Sequence, residues 1–219
     1  MKNELAFYVD MDGVLCDFVG GVRELLACEE DVFIPTDADW PKGEYDICNA
    51  AKITPKLMWT YIDKCPEFWE RLAIMPEAIE MFSELQGIGR TFVCTSPSLH
   101  ASCVAGKLRW LQKLFGYPFR DYVFTTHKEL LAHPNAILID DHDQNCKKFV
   151  DCGGRAILYP QPWNSSHGMM DLLNNAADPM RPITKKAYIM QGVELALGLD
   201  PESQMLIDMM KAENEAVRS

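Results

Sequence analysis

LAFYVDMDGVLCD, running from Leu5 to Asp17, is an apolar run that stops abruptly at an acid and is followed within three residues by a glycine. The run LAFYV suits a strand covered on both faces, and Gly13 lets the chain turn sharply just beyond it. Asp10 and Asp12 occupy alternate positions past the strand, so their side chains point the same way if the extended conformation persists. A carboxylate pair is thereby offered at the edge of a sheet.

Further apolar runs repeat the pattern: RTFVCTS ending at Ser96, DYVFTT at Thr126, NAILIDD at Asp141, and RAILYP from Arg155 to Pro160. The stretches between them have helical periodicity, so the chain is expected to be α/β, a parallel sheet with right-handed crossovers. One such helix spans Leu99 to Gly116, with Val104, Leu108, Leu111 and Leu114 or Phe115 as its packing face and Gly116 as its stop. Another spans Pro76 to Gly89.

Residues 18–75 interrupt the alternation with helical patterns and the turn-rich PTDADWPKGEYD, but no buried strand. They read as a helical cap inserted after the first strand, over the carboxyl ends of the strands where open α/β sheets bind ligands. Residues 1–17 and 76–163 then form the core, and residues 164–219 a C-terminal helical extension made of two amphipathic stretches, Ile183 to Leu199 and Pro201 to Val217.

The 219 residues suffice for one sizeable core with a smaller subdomain. A net charge of -11 disfavours a nucleic-acid polymer or an anionic membrane as partner, whereas a small anion held by a local cation remains compatible with it. Eight cysteines without CxxC spacing, no secretory leader and no apolar run of membrane-spanning length point to reduced thiols and a cytoplasmic location.

Four signals carry chemistry. Asp10 can serve as an oxygen nucleophile toward phosphorus, and Asp12 as the acid and base that protonates the leaving oxygen and later deprotonates water. In CTSPS, Thr95 and Ser96 offer hydroxyl and backbone N–H groups to phosphoryl oxygens. Lys128, just past DYVFTT, can neutralise a phosphate. Asp140 and Asp141 end an apolar strand, and adjacent buried carboxylates call for a cation; Asp10, the carbonyl of Asp12 and one acid of that pair could hold Mg2+. Asp143 reads as a helix cap, and His127 and His142 as peripheral.

In order along the chain, DMDGVL, CTS, Lys128 and LIDD resemble the four motifs of the haloacid dehalogenase superfamily, over Leu5 to about Pro160. DMDGVLCDF followed by GG, FVCTSPS, the Lys107 to Trp110 spacing and ILIDD further resemble 5'(3')-deoxyribonucleotidases. The resemblance implies a Rossmann-like core and a Mg2+-dependent phosphatase of deoxynucleoside monophosphates. Asp10 would be the nucleophile, Asp12 the acid/base and Asp141 the third metal ligand, with Asp140 in support. Thr95, Ser96 and Lys128 would bind phosphate, helped by Lys107, and Phe18 together with Trp40, or with Phe68 or Trp69 in place of Trp40, would stack on the base.

The expected partner is thus a small phosphomonoester, with homodimerisation left open. A phosphatase of the same superfamily, or a phosphotransferase or mutase using the same aspartyl phosphate, acting on another small phosphorylated metabolite, a 3'-phosphatase acting on DNA ends, and a non-catalytic binding protein on the same scaffold are the alternatives.

Overall fold

The five apolar runs become five strands: β1 (Ala6–Val9), β2 (Arg90–Thr95), β3 (Tyr122–Phe124), β4 (Ala136–Asp140) and β5 (Arg155–Leu158). In the computed structural model, which describes residues 5–169 and 184–198, they form one all-parallel sheet of order β3-β2-β1-β4-β5. Phe7 and Val9 of β1 and every residue of β4 are buried, as strands covered on both faces must be. Val9 pairs with Val93 on one side and Ile139 on the other. That register brings the chain out of β1, β2 and β4 at one edge, just where the acids and hydroxyls begin.

Between β1 and β2 the chain is helical: α1 (Phe18–Leu26), α2 (Ile47–Ala51), α3 (Pro55–Lys64), α4 (Phe68–Arg71) and α5 (Ala78–Ile88). Three of these start on side-chain caps, since Asp17, Asp46 and Thr54 accept from the first free backbone N–H groups of α1, α2 and α3. α5 packs on the sheet through Ala78, Met81, Phe82 and Leu85.

α6 (Ala101–Phe115) follows β2, and α7 (Asp143–Asp151) follows β4. The buried face of α6 differs from the expected one. Cys103, Gly106, Lys107, Trp110 and Leu111 face inward, while Val104 is exposed. Two contacts set this rotation: a Cβ on Gly106 would lie 2.6 Å from Cβ of Trp69, so α6 and α4 touch there, and the Trp110 indole donates to the Leu72 carbonyl at 2.8 Å.

Past β5, α8 (Lys185–Leu197) is capped by Thr184 and buries Ile189 and Val193 against α5 and β5. The stretch Pro201 to Val217 lies outside the described residues. Among the described residues no helix is long and apolar enough to cross a membrane.

Candidate active site

Asp10 leaves the end of β1 with its backbone N–H tied to the Ile139 carbonyl at 2.8 Å. The Met11 carbonyl then accepts from the N–H groups of Leu15 and Cys16, at 2.9 and 2.8 Å, and closes a tight loop. Gly13 in that loop has φ +76, and a Cβ there would sit 2.1 Å from Oδ2 of Asp141. Only glycine combines that backbone with so close a neighbour.

Across the loop, Lys128 bridges two carboxylates. Its Nζ lies 2.6 Å from Oδ1 of Asp10 and 2.6 Å from Oδ2 of Asp140, and it is 2 % exposed. A 3-10 turn, Lys128–Leu131, aims it inward from the end of β3, so it is a buried counter-ion and not a surface lysine. Burial alone would depress its ammonium, but Asp10 and Asp140 outweigh that and hold it above the usual lysine value.

Asp140 has its oxygens filled: besides Lys128, Oδ1 accepts from the His142 N–H at 2.9 Å and both accept from Asn145 at 3.2 Å. Asp141 is different. Its Oδ2 accepts from the Trp163 indole at 2.7 Å, whereas Oδ1 is buried without a partner. Oxygens of Asp10, Asp140 and Asp141 lie within 4.8 Å of one another.

Three carboxylates against the one ammonium of Lys128 leave two negative charges uncompensated, and the titration follows. Burial pushes Asp10 up to about 7, opposed by Lys128 and reinforced by Asp140 and Asp12. Burial likewise raises Asp141 well above the ordinary carboxylate range, with Asp10 and Asp140 adding to it. An orphaned buried oxygen within an acid cluster fits a hard divalent cation. Asp10, Asp141 and the carbonyl of Asp12 are the groups suited to hold one, with Asp140 oriented by its own bonds.

Asp12 faces the other lysine. Lys107 Nζ, fully buried, donates to Oδ2 of Asp12 at 2.5 Å, to Oγ1 of Thr95 at 2.7 Å and to the Ser96 carbonyl at 3.1 Å. Burial works against its charge, but Asp12 more than offsets this and keeps its pKa above the usual value. Sulfur of Cys16 donates to the other oxygen of Asp12 at 3.5 Å. Ser96 is exposed, and its hydroxyl donates to the Thr125 carbonyl at 3.1 Å.

Asp12, Asp141 and Ser96 border a cavity of about 390 Å3 whose wall also carries a set of aromatic rings, Phe18, Tyr45, Trp59, Trp69 and Trp163. The size is that of a small-ligand site. Phe18 stacks on Trp69 at 5.6 Å and meets Phe68 edge-on. A roomier hollow of about 520 Å3 lies at the opposite, amino end of the strands, around Leu5, Gly89 and Arg90. It is remote from the acid cluster.

Of the residues singled out in the sequence, Asp10, Asp12, Thr95, Lys107, Lys128, Asp140 and Asp141 converge, with Ser96 and Phe18 on the cavity wall. Trp40 does not line it. It is 4 % exposed, packs edge-on against Trp163 at 5.5 Å and donates to the Glu44 carbonyl at 2.8 Å. Phe68 too sits behind the wall, while Trp69 lies in it. Asp143 is not a cap; its carboxylate accepts from the N–H and hydroxyl of Ser165. His142 stacks on Tyr45 at 4.0 Å, and His127 pairs with Glu129 at 3.1 Å.

Sequence reasoning passed over Trp163, Gln161 and Asn164. Asn164 donates 2.8 Å bonds to the carbonyls of Asp141 and Tyr159, and Gln161 donates to the Gly13 carbonyl. Their segment, QPWN after β5, carries no charge and no periodicity that would single it out.

Residues 3–176 match the sequence profile of the family described as 5' nucleotidase, deoxy (pyrimidine), cytosolic type C protein. The chain is similar to the human mitochondrial 5'(3')-deoxyribonucleotidase, 31% identical over 151 residues, which cover 63% of this chain and 62% of that one. It is also similar to the human cytosolic type, at 29% over 150 residues, 65% of this chain and 73% of that one. The chain thus spans less than two thirds of the mitochondrial relative's length. A HAD family hydrolase from Deinococcus radiodurans shares the fold, with a TM-score of 0.50 at 15% identity over 87% of this chain and 95% of that one.

Proposed function

We propose, from the premise that this chain belongs to the 5' nucleotidase, deoxy (pyrimidine), cytosolic type C family, that it is a Mg2+-dependent phosphatase hydrolysing (deoxy)nucleoside monophosphates. The observation that carries the proposal is the convergence of three buried carboxylates and one ammonium beside an aromatic-walled cavity. The deoxyribonucleotidase names of the relatives support the substrate class. Residues 1–17 and 76–163 are taken as the catalytic core and 18–75 as a cap, because Phe18, Tyr45, Trp59 and Trp69, all from 18–75, supply most of the aromatic wall.

In this scheme a carboxylate oxygen of Asp10 attacks phosphorus while the bond from phosphorus to the ester oxygen breaks, leaving an acyl phosphate on Asp10. Asp12 gives its proton to the departing alkoxide, then takes a proton from the water that attacks the acyl phosphate, which restores Asp10 and frees phosphate. Lys128 aligns the Asp10 carboxylate and offsets charge on the phosphoryl oxygens, and Lys107 with Thr95 receives the phosphate on the Asp12 side. Bound Mg2+ supplies Lewis-acid neutralisation of the phosphoryl charge. The rings of Phe18 and Trp69 offer a flat apolar face to a nucleobase.

A panel of deoxy- and ribonucleoside monophosphates assayed for phosphate release, with Mg2+ and with chelator, tests this. Turnover of deoxy substrates that chelator abolishes is the expected result. Release undiminished by chelator, or confined to non-nucleotide esters, would refute the proposal.

The titration of the acid cluster makes a second prediction. Mg2+ must displace protons held by Asp10, at about 7, and by Asp141, so its affinity falls as pH drops. At 100 times its Kd, Mg2+ should stabilise the protein by about 2.7 kcal/mol, a Tm rise of roughly 5–10 °C for a chain of this size. The rise should be larger at pH 8 than at pH 5.5 and should vanish in Asp141→Asn. Thermal melts that move equally at both pH values would count against the site.

A further inference from the structure

Helix α8 reaches the catalytic loop through two side chains that the proposed chemistry does not use. Lys185, at the start of α8, donates from Nζ to Oε1 of Gln161 at 2.8 Å. Gln161 is fully buried, and its Nε2 donates to the carbonyl of Gly13. Gly13 is the residue of the catalytic loop whose backbone lies against Asp141 and Trp163.

The direction of this chain is dictated by donor chemistry. An ammonium only donates, so it forces the oxygen of the Gln161 amide toward itself and the NH2 toward Gly13. With the ammonium gone, the amide could turn over and set its oxygen against the Gly13 carbonyl. The buried carbonyl would then have lost its donor, and the loop its anchor.

Lys185 is itself held: it lies 5.2 Å over the Tyr159 ring, next to β5. Its helix is seated by Ile189 and Val193, and by Gly192, whose Cβ position is 3.1 Å from Ile157. Residues 185–197 lie beyond the 3–176 that match the family profile.

We infer that Lys185 is a positioning residue, which acts through Gln161 to hold the Gly13 carbonyl and, with it, the Asp12–Gly13 peptide beside the acid cluster. Helix α8 thereby becomes a working part of the site. The inference rests on the phosphatase function proposed above, and groups that orient metal ligands at one remove typically change metal affinity or rate by 10–100-fold when lost.

The test compares Lys185→Met, Lys185→Arg and, as control, Lys186→Met, whose native lysine pairs with Glu84 at 2.7 Å on the surface of α5. Phosphate release from a deoxynucleoside monophosphate is measured together with Mg2+ affinity by calorimetry and Tm. Lys185→Met is expected to lower kcat by ~10-fold with KM within about twofold, and to weaken Mg2+ binding by ~10-fold. Lys185→Arg, which still donates, should recover most of both, and Lys186→Met should change neither.

A Lys185→Met protein with lower Tm but wild-type kcat and Mg2+ affinity would overturn the inference, as would equal losses in Lys186→Met. Should the unaltered protein bind Mg2+ yet release no phosphate from any member of the panel, the phosphatase proposal fails by itself. The Mg2+ affinity of Lys185→Met then decides the inference, a weakening supporting it and an unchanged value overturning it.

Discussion

Asp10→Asn is expected to lower kcat by at least ~10^4-fold while substrate still binds, because the amide has the shape of the carboxylate but cannot form the acyl phosphate. Lys128 would lose one of its two anionic partners and keep Asp140, to which it is bonded at 2.6 Å. The lysine therefore stays charged and in place, and the fold should survive. Single-turnover assays with a deoxynucleoside monophosphate would measure the step, and equilibrium dialysis the retained affinity. Turnover in Asp10→Asn within tenfold of the unaltered protein would exclude Asp10 as the nucleophile. Loss of binding together with turnover would instead make Asp10 an organiser of the site.

Lys128→Met has the largest expected effect on stability. The lysine is 2 % exposed and is shared by two buried carboxylates. Removing one partner of a buried ion pair costs about 3–5 kcal/mol, since the remaining charge is left in a medium that solvates it poorly. The pH dependence has a definite sign. Burial already holds Asp10 at about 7 in the folded protein, with Lys128 pulling it down; without the lysine it moves higher still.

An acid whose folded pKa exceeds its unfolded one destabilises the fold above that folded value, and the penalty shrinks as pH falls toward the unfolded value near 4. Urea denaturation of Lys128→Met should thus differ most from the parent at pH 8 and least near pH 5. A deficit independent of pH would mean that packing, not charge, is what Lys128 contributes. The double variant Lys128→Met with Asp140→Asn should recover part of the loss, because one of the stranded carboxylates is then neutral.

Much of the architecture was legible in the sequence. Each of the five strands lies within an apolar run of the expected kind, because strands buried on both faces must be apolar along their length, and the acids mark where those strands end. The candidate site was legible for the same reason. Asp10, Thr95 and Asp140 each stand at or just past the end of a strand, and a parallel sheet brings such ends to one edge.

What could not be read was burial at single positions. The family resemblance brings Lys107 to the phosphate, yet its place on an amphipathic helix reads as solvent-facing, and Val104 reads as a core position. In the fold Lys107 is buried and Val104 exposed, because α6 is rotated by the contact of Gly106 with Trp69 and by the bond from Trp110 to Leu72. Trp40 and Trp163 are both tryptophans near turns. Only the fold sets Trp163 at the cavity with its indole on Asp141 and Trp40 behind it.

From the order of its residues alone the chain declares a parallel sheet and the kinds of group that meet at its edge, since strand patterning and strand ends are local properties. Which lysine is buried, which ring faces the cavity and how Lys185 comes to bear on Gly13 were decided by the tertiary structure. Those depend on contacts such as Gln161 with Gly13, 148 positions apart, whose partners leave no mutual trace in the residues flanking either one.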